Sequence, residues 1–248
     1  MGLAPAVTMG PAAWRCTEFK AGSDRLYYSR FIISPLEVGQ ANTLGVALRR
    51  TLLGELEGVC ITIGVFSPGV NHEYTALEGI RESVHDILMN LKQIVLRGNP
   101  AAPRLEAYVS ITGPGRVTAR DIVLPPFVGI IDPTQHIATV TKRLHLNFGL
   151  RLGKGHGYRR QNLIEYRKGN FPLDAVFTPI RSVNYSIHRY ESHSGGMMKE
   201  MPLLEIWTDG SITPREAVRE ASRKLKHLFS PLFAYADDYG RMITARRA

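Results

Sequence analysis

Long apolar runs are missing from this sequence. No stretch approaches the ~20 residues that a bilayer-spanning helix needs, so a helical membrane span is not expected. Cysteine is scarce: Cys16 and Cys60 are the only two in 248 residues, and no CxxC is present. That excludes a disulfide scaffold and a zinc ribbon and points to a reducing compartment. Acid falls short of base, with 22 acidic against 31 basic side chains, a net charge of +9 and a pI near 9.7. Such a balance favours anionic partners such as nucleic acid, met directly or as part of a larger nucleoprotein machine. The opening MGLAPAVTMGPAAW lacks the charged start and apolar block of a secretory signal. It has no acid before Glu18 but is too poor in arginine and serine to read as a transit peptide, and reads as a short extension.

Catalytic patterns are missing too. The eight histidines are scattered, with no HxxxH or HExxH, and there is no DxD. Asp237-Asp238 is the one adjacent acid pair and reads as a solvated pair in a surface tail. GKGHG at 153–157 lacks the Lys-Ser/Thr step into a helix that a phosphate loop requires, because Tyr158, Arg159 and Arg160 follow it. It reads as a flexible loop after a strand. His72-Glu73 has no nucleophile near it in sequence and reads as a turn or strand end. The sequence therefore predicts no catalytic site, no metal site and no cofactor in this chain.

What is present is organised as helices at both ends with strands between. The first helix is expected over about 42–57, capped by Asn42 or Thr43 and stopped by Gly58. The second is expected over about 77–97, with Thr75 and Glu78 as a capping box and a stripe from Ile80 through Leu91 to Val95. The third starts at Thr213, with Pro214 in its first turn and Glu216 closing a box; Pro231 should end or bend it. Strands are expected at 104–112, 144–152, 175–177, 184–190 and 203–208, with turns at 113–115 and 209–210. This order predicts an α+β fold rather than a βαβ repeat.

On the first helix, Leu44, Val46, Leu48, Leu52, Leu53 and Leu56 spread around nearly the whole circumference. Such a helix is buried on several sides, either inside one domain or between its own domain and a second chain. Val218, Ala221, Leu225, Leu228 and Phe229 give the third helix an apolar side that could share that interface. Arg49 and Arg50 must reach water or an acid: Glu55 and Glu57 nearby, or a carboxylate of another subunit. Arg81, His85 and Lys92 border the second helix's stripe, as a solvated edge or a docking strip. Arg151, Lys154, Arg159, Arg160, Arg167 and Lys168, interleaved with Tyr158 and Tyr166, form a basic cluster. Its alternative function is nucleic-acid binding.

ISPLEVGQANTLGVALRRTLLGELEG and HEYTALEGIRESVHDILMNLKQIVLRG are similar to the alpha subunit of multisubunit DNA-directed RNA polymerase. VTARDI, TQHIAT, GHGYRR, PLDAVFTPIRSVNYSI and LEIWTDGSITPREAVREAS extend the resemblance over roughly 14–233. RLYYSRFIISPL, SVHDILMNLKQIVLR and NYSIHRY resemble the plastid form, which implies a chloroplast, with the bacterial cytoplasm as the alternative. The resemblance implies a two-lobed fold: a discontinuous dimerisation domain at 14–57 plus 183–235, an inserted, mostly β domain at 58–182 that docks large subunits, and a tail at 236–248. It implies a second alpha copy, held through Leu44, Leu48, Leu52, Leu56, Val218, Ala221, Leu225 and Leu228, and a platform for the beta and beta-prime subunits. Arg50 matches the second arginine of the family's LRR motif, Lys92 the lysine of NLK, and Asp174, Ala175 and Val176 its VDA segment, all at large-subunit contacts. Catalysis is then the work of the other subunits. The family also carries a C-terminal helical domain that touches promoter DNA; with 236–248 read as a tail, this chain is expected to meet DNA mainly indirectly, through the complex.

Overall fold

A computed structural model describes residues 13–66, 70–98, 104–160, 169–192 and 196–247. In chain order the elements are β1 (Ala13–Ser23), β2 (Leu26–Ser34), α1 (Gln40–Gly54), β3 (Glu57–Phe66), α2 (Val84–Lys92), β4 (Leu96–Gly98), β5 (Arg104–Thr112), β6 (Gly115–Thr118), β7 (Ile122–Val123) and β8 (Val128–Ile130). They continue as β9 (His136–Val140), β10 (His145–His156), β11 (Tyr158–Arg159), β12 (Asn170–Pro172), β13 (Ala175–Val176), β14 (Ile180–Glu191), β15 (Met198–Thr208) and α3 (Pro214–Arg247). The fold is α+β, as the sequence predicts.

Two cores form. In the first, an antiparallel sheet runs β1-β2-β15-β14, so a strand from the start of the chain pairs with one near its end. Tyr28 faces Trp207 and Arg30 faces Glu205 across that pairing. Helices α1 and α3 pack on one face of the sheet and on each other. They bury Leu48, Leu52, Leu56, Val218 and Ala221 against Phe31, Val183, Leu204 and Ile206. Each large aliphatic side chain closed in this way contributes about 1.5–3 kcal/mol.

The second core lies within a larger sheet ordered β7-β5-β10-β3-β4-β8, with β12 also on β3. The two end strands, β7 and β8, are joined by residues 124–127 alone. The five Cα steps from Val123 to Val128 span at most about 18 Å, less than the roughly 24 Å of five strand spacings, so the sheet must curl to bring its ends together. Helix α2 packs against β3 and β9, and its Val84, Ile87, Leu88 and Leu91 are buried. The cores change over between Leu56 and Val59 and again between Leu173 and Ile180.

Several boundaries differ from expectation. Helix α1 begins at Gln40, so Asn42 and Thr43 lie inside its first turns, and the chain is already in β3 at Glu57. Its cap position, Gly39, has φ 94° and offers no side-chain cap. Helix α2, at 9 residues, is less than half the expected length. Its capping box is Ser83 with Asp86, not Thr75 with Glu78. The residues before it are held by β9 instead: Arg81 N donates to Thr139 O, Thr141 N donates to Gly79 O, and the Glu82 carboxylate takes Thr139 N at 2.6 Å. Gly79 there has φ +79°, a left-handed turn that a helix cannot contain. Residues 153–156 of GKGHG are not a loop. They extend β10 against β3, and only Gly157 turns, at φ +66°. Helix α3 runs through Pro231 to Arg247, so residues 236–247 continue the helix.

Candidate docking surface

Helix α1 owes its placement to a distant acid. Glu200 of β15 is 2% exposed, and its carboxylate accepts from Gly39 N at 2.9 Å and Ala41 N at 3.3 Å. This supplies from another strand the cap that Gly39 lacks, and puts negative charge at the positive end of the helix. Arg189 Nε donates to the same carboxylate at 3.3 Å. The helix is also drawn close to β14 at Gly45, where an added Cβ would sit 2.6 Å from the Tyr185 ring.

Held this way, α1 is not buried all round. Asn42, Thr43, Val46, Arg49 and Arg50 are exposed, and Leu44 and Leu53 are half-buried. The apolar wheel misleads at Val46, which is 40% exposed and lies among the polar positions. Arg49 and Arg50 have no ion pair among the described residues; Glu57 is engaged by Lys154 at 3.1 Å and Lys224 at 3.2 Å instead. Two guanidiniums are thus offered to solvent from one turn of a fixed helix.

The residues expected at the paired-chain interface divide. Leu48, Leu52, Leu56, Val218 and Ala221 are closed inside the chain's own core, out of direct reach of a second chain. Leu44 and Leu225 are half-buried. Leu228 is 58% exposed, and with Phe229, Leu232 and Phe233 it makes an open apolar face on the distal part of α3. Leu232 and Phe233 escape the sequence reading because Pro231 is taken to stop the helix before them.

In the second lobe the fold brings Lys92 and Asp174 together: Lys92 Nζ lies 3.2 Å from Asp174 Oδ2, across 82 residues. Of the neighbours, Ala175 is buried at 2%, whereas Val176 is 57% exposed. Strand β13 pairs with β11, setting Val176 opposite Tyr158, itself 61% exposed. Lys92 and Val176 also line a cleft of about 470 Å³ between the lobes, beside Arg25 and Arg181. Cys60 Sγ donates to Val176 O at 2.9 Å, and burial pushes its thiol up to about 12, so it serves as packing and not as a nucleophile. Arg50 stands apart on α1 and shares no hydrogen bond or ion pair with this group among the described residues.

The basic cluster at 151–168 does not form a continuous cationic surface among the described residues. Lys154 is paired with Glu57, and the Arg159 guanidinium lies over the Phe177 ring at 5.4 Å. Arg167, Lys168 and Tyr166 fall outside the described residues. His72 Nδ1 accepts from Tyr74 N, a turn role. Among the described residues no group of three or more His, Cys, Asp or Glu side chains could hold a metal ion, and no helix is long and apolar enough to cross a membrane.

Residues 60–178, most of the second lobe, match the RNA polymerase Rpb3/RpoA insert domain. Along 224 residues the chain is 59% identical to a DNA-directed RNA polymerase subunit alpha of Huperzia lucidula, covering 90% of this chain and 66% of that protein. It is 52% identical to that of Glycine max over 225 residues, covering 91% and 66%. It is 51% identical to that of Morus indica over 227 residues, covering 92% and 69%. The chain thus spans just under two thirds of the length of the first two relatives. By these matches, which run through both lobes, the chain belongs to the family of DNA-directed RNA polymerase alpha subunits.

Proposed function

We propose that this chain is a non-catalytic assembly subunit of a plastid DNA-directed RNA polymerase, a nucleotidyltransferase complex whose chemistry lies on its other subunits. Two copies pair through the distal apolar face of α3, with Leu44 and Leu225 at its edge. The pair then receives the beta and beta-prime subunits on Arg50 and on the Lys92–Asp174–Val176 surface. The observation that carries this reading is the run of Leu228, Phe229, Leu232 and Phe233, each between 49% and 72% exposed on one helix. A contiguous apolar face of that kind calls for a protein cover. The plastid assignment is supported by plant relatives.

Light scattering after gel filtration tests the pairing. The expected mass is twice 27.6 kDa, and Leu228→Glu with Leu232→Glu should reduce it to one copy. A wild-type monomer at every concentration sinks the proposal. With the dimer in hand, Arg50→Ala should weaken capture of a beta-type subunit by about tenfold, about 1.4 kcal/mol, without altering the dimer mass. Capture equal to wild type would remove Arg50 from the docking set.

A further inference from the structure

Over its first three turns, helix α3 carries a second face that the core does not use. Arg215, Arg219, Arg223 and Lys226 recur at steps of four, four and three residues and are all exposed. At 100° per residue they fall within about 80° of one another, with no acid inside the stripe. Arg223 bonds Glu220, and Arg219 helps lower the pKa of Glu216. Arg215 and Lys226 have no ion pair among the described residues. Arg97 of β4, 3.6 Å from Glu216, adds a fifth cation across a cleft of about 460 Å³ that Arg219 and Arg223 also line.

We propose that this stripe is a contact surface for the phosphate backbone of duplex DNA. The four cations extend over about 16 Å of helix, a span along which a duplex presents roughly one phosphate charge per 1.7 Å. A protein partner would need an apolar centre to its interface, and from Arg215 to Lys226 no apolar residue falls within this arc, which Ser222 flanks on one side and Glu216 on the other. A charged line without an apolar centre suits a polyanion read by charge and not by sequence. The choice of DNA as that polyanion rests on the family reading, whereas the stripe itself is centred roughly 100° around α3 from the pairing face and lies nearer the start of the helix.

The test is fluorescence anisotropy of the full chain with a short labelled DNA duplex across a salt series. The quadruple variant Arg215→Gln, Arg219→Gln, Arg223→Gln, Lys226→Gln should lower the log–log salt slope by about 1 for each cation removed and weaken binding at least about tenfold at low salt. Exposed positions keep the fold intact, and an unchanged dimer mass verifies this. A control, Arg151→Gln with Arg159→Gln and Arg160→Gln, should leave the slope as it is. The proposal is overturned by absence of wild-type binding at low salt, by a quadruple variant with the wild-type slope, or by a variant that loses large-subunit capture while still binding DNA normally. In each case the dimer could stand, so failure here is separable from failure of the assembly reading.

Discussion

Glu200 is a single acid doing the work of a local cap at long range. A helix start buried without a partner for its amides is costly, and Gly39 supplies none. The carboxylate satisfies two of those amides, while its pairing with Arg189, 64% exposed, is screened and contributes little. Glu200→Ala should therefore cost about 2 kcal/mol in denaturant unfolding. Glu200→Gln, which retains an acceptor oxygen, should lose less. Equal stability of all three proteins would show that water caps the helix as well. The same substitution frees the end of α1, so the docking proposed for Arg50 should weaken with it. By contrast, Lys92 and Asp174 are 32% and 28% exposed. An exposed pair of this kind adds little stability, about 1 kcal/mol at most, which fits a pair available for exchange with a partner.

Helix α3 is begun by a reciprocal box: Glu216 accepts from Thr213 N at 3.0 Å and from Thr213 Oγ1 at 2.8 Å, while Thr213 Oγ1 accepts from Glu216 N. The Thr213 backbone bond is the largest influence holding the carboxyl below its usual 4.5, against a smaller upward push from burial; the hydroxyl, Arg97 and Arg219 add to the lowering. With a folded pKa below the unfolded one, the box's contribution is fully present above pH 4.5 and is lost as pH falls through the lower folded value. Glu216→Gln should thus melt below wild type at neutral pH, and the gap should close on acidification below pH 4.5. A gap independent of pH would mean that the charge does nothing. This cap was legible from Thr213-Pro214-Arg215-Glu216 because its partners lie within one turn. The alternating leucines of β10 were legible for the same reason: Leu146, Phe148, Leu150 and Leu152 are all buried. Helix α2 was not, since Thr75 and Glu78 spell an equally good box that Gly79 and the β9 pairing override. Strands β1 to β3 were missed although their signals were there, in the β-branched run from Val59 to Val65 and the alternation of Tyr27, Ser29, Phe31 and Ile33. Of the docking set, residue types could be matched one by one, but no local signal joins Lys92 to Asp174, and none separates buried Leu56 from open Leu228.

The two cores are tied at their margin by polar contacts. Arg25, in the β1–β2 turn, donates to Gln93 O at 2.8 Å and to Gln135 Oε1 at 3.2 Å, both in the second lobe. On the other flank Glu57 bridges Lys154 and the α3 residue Lys224. Arg25→Ala should broaden thermal unfolding or split it in two, with the calorimetric enthalpy exceeding the van't Hoff value, because separate cores then melt with less coupling. A transition as sharp as wild type would place the coupling in the backbone crossings alone. The distal half of α3 carries a different consequence. In the proposed pair, an apolar face open on one chain and closed by another would make folding answer to mass action. The midpoint of unfolding should then rise with protein concentration, and a midpoint independent of concentration would count against the pairing. A subunit that paired in this way would be self-limiting: copies made without a companion would lack their cover, so supply of the assembled form would follow pairing rather than the number synthesised.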